Sequence, residues 1–590
     1  MDKNSKIKKT NVVLIGVGPH AKRIYLKYFS NHKINLVFVV ELKSNHDKTR
    51  KFLNENGFGN TKIYIVDDFN KDKEHLTEKD FKNLTYLCKF YEISHIIIST
   101  EPKAHNAYIE FSLINDIEVI TDKPITVNKN MLNLKSIRNL KKQYYNLCEL
   151  QRKSKANCYV MCQRKYHRGY EYIKQLLTET VYKYNVPITY IDIYHCDGNW
   201  EMLHDLYKEN HPYKYGYGKL FHSGYHFIDL LSDLISINEM LVGDKKITKG
   251  YVYTQSFTPN DEINIFNIND YNNIFEKQVM PKIYQYLKNK KIKFKNFGEK
   301  NYYGMFTFKN KNNQTITTAN LNLLHYGFSR RGWIESRDYY KKNGRVRHER
   351  VNIQVGTLLN IQIHSYQSKE IKDRISSEIE ESVGGLEHFD IDIYRNVDII
   401  GGKPFERIKL GSLYTEKEKK NFIGYNELSR EIFLNNFFQN KCDKGSLNKL
   451  ILPIEILYSC AMGLYNVNKN KNKPEKIKVL NHLRLQEELN MLQLRKSSQN
   501  YYNNFEKVTL NHFEIFKNKY SFGITINYIK EKEKYEVFLF VQDVQIVGGL
   551  LTKVFSSKIF AYLYYYYIFY KLNSNEKNII KWIKKSIEKK

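Results

Sequence analysis

Long apolar runs are missing from this chain of 590 residues. No stretch approaches the ~20 consecutive apolar residues of a membrane-spanning helix. The first ten residues are polar and lysine-rich and lack the apolar segment of a secretory signal, so a cytoplasmic address is expected. Cysteine is scarce: seven, an odd number, at 88, 148, 158, 162, 196, 442 and 460, with no CxxC pair. That scatter is not a disulfide framework and matches no zinc spacing, which leaves buried, reduced thiols as the reading. Acid is in short supply too, 63 Asp+Glu against 94 Lys+Arg, for a formal charge of +31. Such an excess can mark a nucleic-acid or anionic-membrane partner. Here Lys, Asn, Ile and Tyr are abundant from end to end, as translation of an AT-rich genome would give. Nucleic-acid binding is therefore the weaker reading and a small-molecule partner the stronger. No internal repeat is visible.

A chain this long splits into two or three domains. Short apolar runs at 11–15 (NVVLI), 34–42 (INLVFVVEL), 62–66, 95–99 (HIIIS) and 117–121 (IEVIT) alternate with helical patterns such as 22–30 and 104–114. Short buried strands separated by helices predict a parallel sheet covered on both faces. Beyond 155 the pattern changes. A strand at 158–162 would place Cys158 and Cys162 on one face. A helix follows at 167–178, an alternating strand at 188–194 (ITYIDIY), a loop at 197–218 and a helix at 220–234. Strand patterns then recur at 304–308, 316–324, 351–355 and 359–365, with 261–300 read as an insertion. The fold class expected is α/β: a Rossmann doubly wound domain over 1–125, then an α+β domain over 126–466 with an open, mostly antiparallel sheet. The segment 466–476 (NVNKNKNKPEK) reads as a linker to a small α+β appendage, 477–590. That appendage carries helices at 479–494 and 557–571, strands at 522–529 and 535–542, and a basic tail at 576–590.

The chemistry begins at Gly16-Val17-Gly18-Pro19-His20-Ala21, which follows a strand and opens a helix. Gly16 permits the tight turn, Gly18 lets the backbone approach a pyrophosphate, and Ala21 is small enough for helix–strand packing. The helix N-terminus offers free N–H groups to phosphate. Glu41 ends the second strand, where an acid accepts hydrogen bonds from the adenosine ribose and repels a 2′-phosphate. NAD is therefore the expected cofactor, with NADP the alternative because Lys43 and Arg50 are near.

Three further segments, Ser99-Thr100-Glu101-Pro102-Lys103-Ala104-His105, Thr121-Asp122-Lys123-Pro124-Ile125 and Gly218-Lys219-Leu220-Phe221-His222-Ser223-Gly224-Tyr225-His226, together with Cys162–Tyr166, resemble the glucose–fructose oxidoreductase/inositol dehydrogenase (Gfo/Idh/MocA) family. The resemblance is good over about 10–240, weaker over 300–465, where a helix at 425–438 also fits, and absent over 477–590. It implies that Ser99, Thr100, Glu101, Pro102, His105 and Asp122 border the cofactor. It implies that Lys123 stabilises oxygen charge beside the nicotinamide, with Pro124 often cis in such turns. It makes His226 the general acid/base, a role suited to the unperturbed imidazole pKa. Arg164 and Tyr166 would lie on the substrate side. A dimer or tetramer formed through the open sheet is also implied.

Two departures stand out. Asp122 replaces the family's Glu, and His222 replaces an Asp. Placed four residues apart on one helix, His222 and His226 would face the same cleft. The cluster His195, Cys196, Asp197, His204 and His211 matches no zinc spacing and reads as loop residues near that cleft. The function expected is hydride transfer between NAD(P) and a carbonyl or hydroxyl carbon of a small polar metabolite. The competing reading is a dinucleotide-binding sensor or scaffold whose catalysis is altered and whose appendage binds a partner.

Overall fold

The computed structural model describes residues 10–479 except 33, 202–204, 208–211, 275–293, 326–328, 332–345, 369–387, 416–424 and 443, and in addition 507–517, 520–529, 534–543 and 546–555. The chain divides into two compact units, Met1–Leu483 and Arg484–Lys590.

Six parallel strands open the first unit: β1 (Asn11–Ile15), β2 (Asn35–Leu42), β3 (Lys62–Val66), β4 (His95–Ile98), β5 (Glu118–Thr121) and β6 (Cys158–Val160). Their spatial order is β3-β2-β1-β4-β5-β6, the doubly wound order whose crossovers leave a crevice where it reverses, between β1 and β4. Val12, Leu14, Ile96, Ile97 and Ile98 are fully buried, as strands covered on both faces require. The 158–162 strand is shorter than expected. It ends at Val160, and Cys162 precedes a turn of 3₁₀-helix over Gln163–Tyr166.

The second sheet has nine strands in the order β16-β15-β14-β13-β7-β11-β10-β9-β17. They are β7 (Ile188–Cys196), β9 (Lys249–Phe257), β10 (Asn301–Lys309), β11 (Thr315–Leu324), β13 (Val346–Val355), β14 (Leu359–Ser368), β15 (His388–Arg395), β16 (Phe405–Lys409) and β17 (Glu475–Ile477). Only β7 and β11 pair in parallel; the other neighbours are antiparallel. A small parallel pair, β8 (Asn199–Glu201) with β12 (Ser329–Arg331), stands apart. Period-two alternation decides the register. Ile191, Ile353, Ile361 and Ile393 are opposed in one row across four strands, and all four are fully buried. Each contributes about 1.5–3 kcal/mol through burial, and a one-residue slip would turn the row toward the other face. The helix Ile451–Asn468 packs on this sheet against β9 and against the helices Leu134–Lys153 and Tyr225–Ile237. By length and composition it could cross a membrane, yet 78% of its apolar window is buried inside the protein.

Two regions differ from the sequence reading. The 466–476 segment is not an open linker: it contains the end of that helix, and β17 then pairs with β9. The start of the 261–300 insertion forms two short helices, Pro259–Ile265 and Ile268–Ile274. Its end, Gly298–Glu299, packs beneath residues 217–220.

The second unit contains an antiparallel meander of β18 (Lys507–Lys517), β19 (Tyr520–Ile529), β20 (Lys534–Asp543) and β21 (Ile546–Phe555). The helices expected at 479–494 and 557–571 and the basic tail lie outside the described residues, apart from Val479 itself.

Candidate active site

β1 runs into a helical segment over 19–32 through Gly16-Val17-Gly18. Gly16 has φ +86°, and a Cβ there would meet the Ser99 carbonyl oxygen at 2.7 Å. Only glycine fits this crossing of β1 and β4. A Cβ on Gly18 would meet nothing within 4 Å, so that backbone faces open space. Pro19 takes the first helical position, where its missing N–H costs nothing, and Ala21 is fully buried under the helix. The turn lines a cavity of about 620 Å³ together with Glu41, Ser99, Thr100 and Asp122. Glu41 accepts hydrogen bonds from the Val17 N–H (3.0 Å) and the Leu42 N–H (2.8 Å), which fixes its carboxylate at the end of β2.

The loop after β5 carries Asp122 and Lys123. Tyr25 Oη donates to Asp122 Oδ1 at 2.5 Å and Ser99 Oγ to Oδ2 at 2.7 Å. Burial raises the Asp122 pKa, but His20 and these two donors outweigh it and hold the carboxyl below its ordinary value. His20 lies 3.6 Å from Asp122 Oδ1. Burial lowers its own pKa to about 4, so at neutral pH this approach is not an ion pair. The peptide Lys123–Pro124 is cis. Lys123 Nζ donates to the His222 carbonyl at 2.5 Å. Burial pulls its pKa down to about 8 against the opposing pull of Asp122 and Asp197.

His222 and His226 are not successive turns of one helix. The helix begins at Tyr225, and His222 lies in the preceding turn, where its N–H bonds the Gly218 carbonyl (3.1 Å) and Gly224 N–H bonds that of Lys219 (2.9 Å). The turn is held from below. A Cβ on Gly218 would strike Glu299 backbone at 2.0 Å, and Glu299 Oε1 accepts the Leu220 N–H at 2.6 Å. Lys219, fully buried, is ion-paired to Asp197, which also accepts from Ser223 Oγ at 2.8 Å. His226 differs from an ordinary histidine. Burial first, then Lys123, Arg164 and Arg430, hold its pKa well below the usual imidazole value, so it is neutral at working pH. Its Nδ1 is buried with no hydrogen-bond partner among the described residues.

Lys123, His222 and His226 line a second cavity of about 220 Å³ with Arg430, Gln163 and Tyr217. His20, Thr100, Glu101 and Asp122 border both cavities, so the two adjoin. Pro102 lines the smaller one and occupies the first position of the helix Pro102–Ile114, after the N-cap residue Glu101. His105 does not reach either cavity. It is fully buried, with Nδ1 2.9 Å from the Pro124 carbonyl and Nε2 3.2 Å from that of Thr100, and so ties the two site loops together.

Arg164 and Tyr166 also line neither cavity. Arg164 is paired with Glu349 (2.5 Å) and stacked 4.0 Å from the Phe227 ring, while Tyr166 packs edge-on against Phe433. Their neighbour Lys165 bridges Asp229 (3.0 Å) and Asp233 (2.7 Å), locking the 225–237 helix to the 163–166 turn. His195 packs against Phe227 with the rings tilted by 34° and lies 3.2 Å from Lys219 Nζ; His204 and His211 are outside the described residues. Sequence reading missed Arg430, which the helix Tyr425–Phe438 brings to the cleft. Tyr28 Oη bonds Asn435 Oδ1 (2.7 Å) and thereby fastens that helix to the first one. No local signal marks which face of that helix would meet Lys123.

No family model and no curated protein matches the chain. Similar solved structures include an oxidoreductase from Agrobacterium radiobacter in complex with NAD+, L-tartaric acid and magnesium (11% identity, TM-score 0.44, covering 80% of this chain and 98% of that one). An aldose-aldose oxidoreductase from Caulobacter crescentus complexed with glycerol is similar at 10% identity and a TM-score of 0.45, covering 80% and 100%. An oxidoreductase from Sinorhizobium meliloti is similar at 11% identity and a TM-score of 0.45, covering 79% and 99%.

Proposed function

We propose that this chain is an NAD(H)-dependent oxidoreductase that moves a hydride between nicotinamide and a carbonyl or hydroxyl carbon of a small polar metabolite. The observation that carries the reading is the adjoining of two cavities. One is lined by a glycine turn at the crevice of a doubly wound sheet, the other by Lys123 and His226. The turn fits a dinucleotide, because Gly18 leaves space for a phosphate beside the N–H groups of a helix start. Glu41 would accept ribose hydroxyls and repel a 2′-phosphate, which favours NAD over NADP. When bound, the nicotinamide supplies or accepts the hydride.

The protein's part is charge and protons. Lys123, protonated at neutral pH, stabilises negative charge on the substrate oxygen. His226, neutral, is in the state that accepts a hydroxyl proton in the oxidative direction. Asp122 orients the loop through Tyr25 and Ser99. The test is NADH oxidation by the purified full chain across sugars, inositols, imines and keto acids. Turnover with one class supports the reading. Saturable NADH binding without turnover across the panel would instead favour a dinucleotide-sensing protein.

A further inference from the structure

The carboxylates of the smaller cavity are not aimed at its cations. Two cations border it, Lys123 and Arg430, and the turn 218–226 contributes no acid. Of the two carboxylates that border it, Asp122 already accepts from Tyr25 and Ser99. The other, Glu101, is exposed to solvent. Lys123 donates to a neutral carbonyl. Arg430 has its side chain only 12% exposed, and among the described residues its ion-pair partner is Glu427 on its own helix, at 3.5 Å through one nitrogen. Glu427, Tyr25 and Asp122 favour the guanidinium charge, yet burial outweighs them and lowers its pKa. A guanidinium removed from water with one long ion pair is thus only partly compensated. Its planar fork matches a carboxylate through two parallel hydrogen bonds. His226 adds a buried ring nitrogen without a partner to the same wall.

We propose that Arg430 anchors a carboxylate of the substrate, so that the substrate class is a hydroxy- or oxo-carboxylate rather than a neutral polyol. The inference rests on the oxidoreductase reading for the identity of the second ligand, but the anion site stands or falls by itself. An anion could also come from the cofactor, whose diphosphate would lie beyond His20. The chemistry is shared, and the experiment separates the two sources.

Full-length protein is titrated with tartronate and oxamate, and with glycerol and myo-inositol as neutral counterparts. Binding is read by calorimetry with and without saturating NADH, in wild type, Arg430→Gln and Arg430→Lys. The expected result is that the carboxylates bind wild type at least about tenfold more tightly than the polyols, the scale of a charge-assisted pair. Arg430→Gln should lose that preference while keeping NADH affinity within about twofold, and Arg430→Lys should keep part of it. NADH binding without any preference for carboxylates overturns the proposal and leaves the oxidoreductase reading intact. An Arg430→Gln variant that loses NADH as much as carboxylate overturns it in favour of the cofactor phosphate. Carboxylate binding that depends on Arg430 in a chain indifferent to NADH supports the anion site and removes the oxidoreductase reading.

Discussion

The two adjoining cavities are built by different means. The larger is shaped at one end by backbone: Gly16 is required by the approach of the Ser99 carbonyl, and Gly18 leaves open space in front of the chain, both within one strand–turn–helix unit. The smaller is made of polar and charged side chains delivered from separate parts of the chain: Lys123 after β5, His226 at the start of the Tyr225–Ile237 helix and Arg430 from the Tyr425–Phe438 helix. A backbone site tolerates drift around it, because few side chains carry it. A convergent site depends on every element that aims its members, and its electrostatics shift when one moves.

That contrast can be broken first at Lys123. Lys123→Ala should lower turnover by about 10²–10³-fold, the scale for removing one oxyanion-stabilising donor, while leaving NADH affinity within a few-fold. Equal losses in both would mean that the two cavities are not separable. The pH profile sharpens the same point. With its pKa depressed to about 8, Lys123 is charged below that value and loses its charge as pH rises through it. Reductive turnover measured from pH 6 to 10 should therefore fall above about 8, and a plateau extending to 10 would contradict this. At the backbone site, Glu41→Gln removes the charge that repels a 2′-phosphate, so the ratio of NADH to NADPH affinity should drop by about tenfold; an unchanged ratio would remove Glu41 from specificity.

The smallest effect concerns stability beneath the 218–224 turn. Burial raises the Glu299 pKa from 4.5 to about 7, partly offset by the Leu220 N–H. The unfolded chain releases this proton near pH 4.5 and the folded chain only near 7, so its contribution to stability declines between those values and stays low above them. Glu299→Gln cannot ionise and should raise stability at pH 8 by about 1–3 kcal/mol, while changing little at pH 4.5, read by denaturant titration.

The parts of this molecule that local sequence specifies were readable. Short apolar runs such as 11–15 and 95–99, alternating with helical patterns, point to covered strands, and the glycine spacing with Glu41 marks the turn and its neighbours. The apolar pattern through Leu220 and Phe221 predicts a helix over 220–234, whereas the helix spans Tyr225–Ile237. Local spacing does not show that Gly218 presses on Glu299 and that Gly224 N–H closes on the Lys219 carbonyl, which bends residues 218–224 into a turn. Arg164 read as a cleft residue because its partner, Glu349, is 185 positions away. Arg430 and Glu299 escaped for the same reason. Each acquires its role from a contact between distant segments, and the end of an apparently featureless insertion proves to support the 217–220 turn.

The account depends most on the glycine turn holding a dinucleotide beside Lys123, and the direct measurement is an NADH fluorescence titration of wild type and Gly18→Asp. A Cβ at Gly18 meets nothing within 4 Å, so the aspartate leaves the fold intact and sets a negative charge where the diphosphate would lie. Saturable binding by wild type, weakened at least about tenfold in the variant, is the predicted result. Absence of binding in wild type, or equal binding in both, would contradict the account.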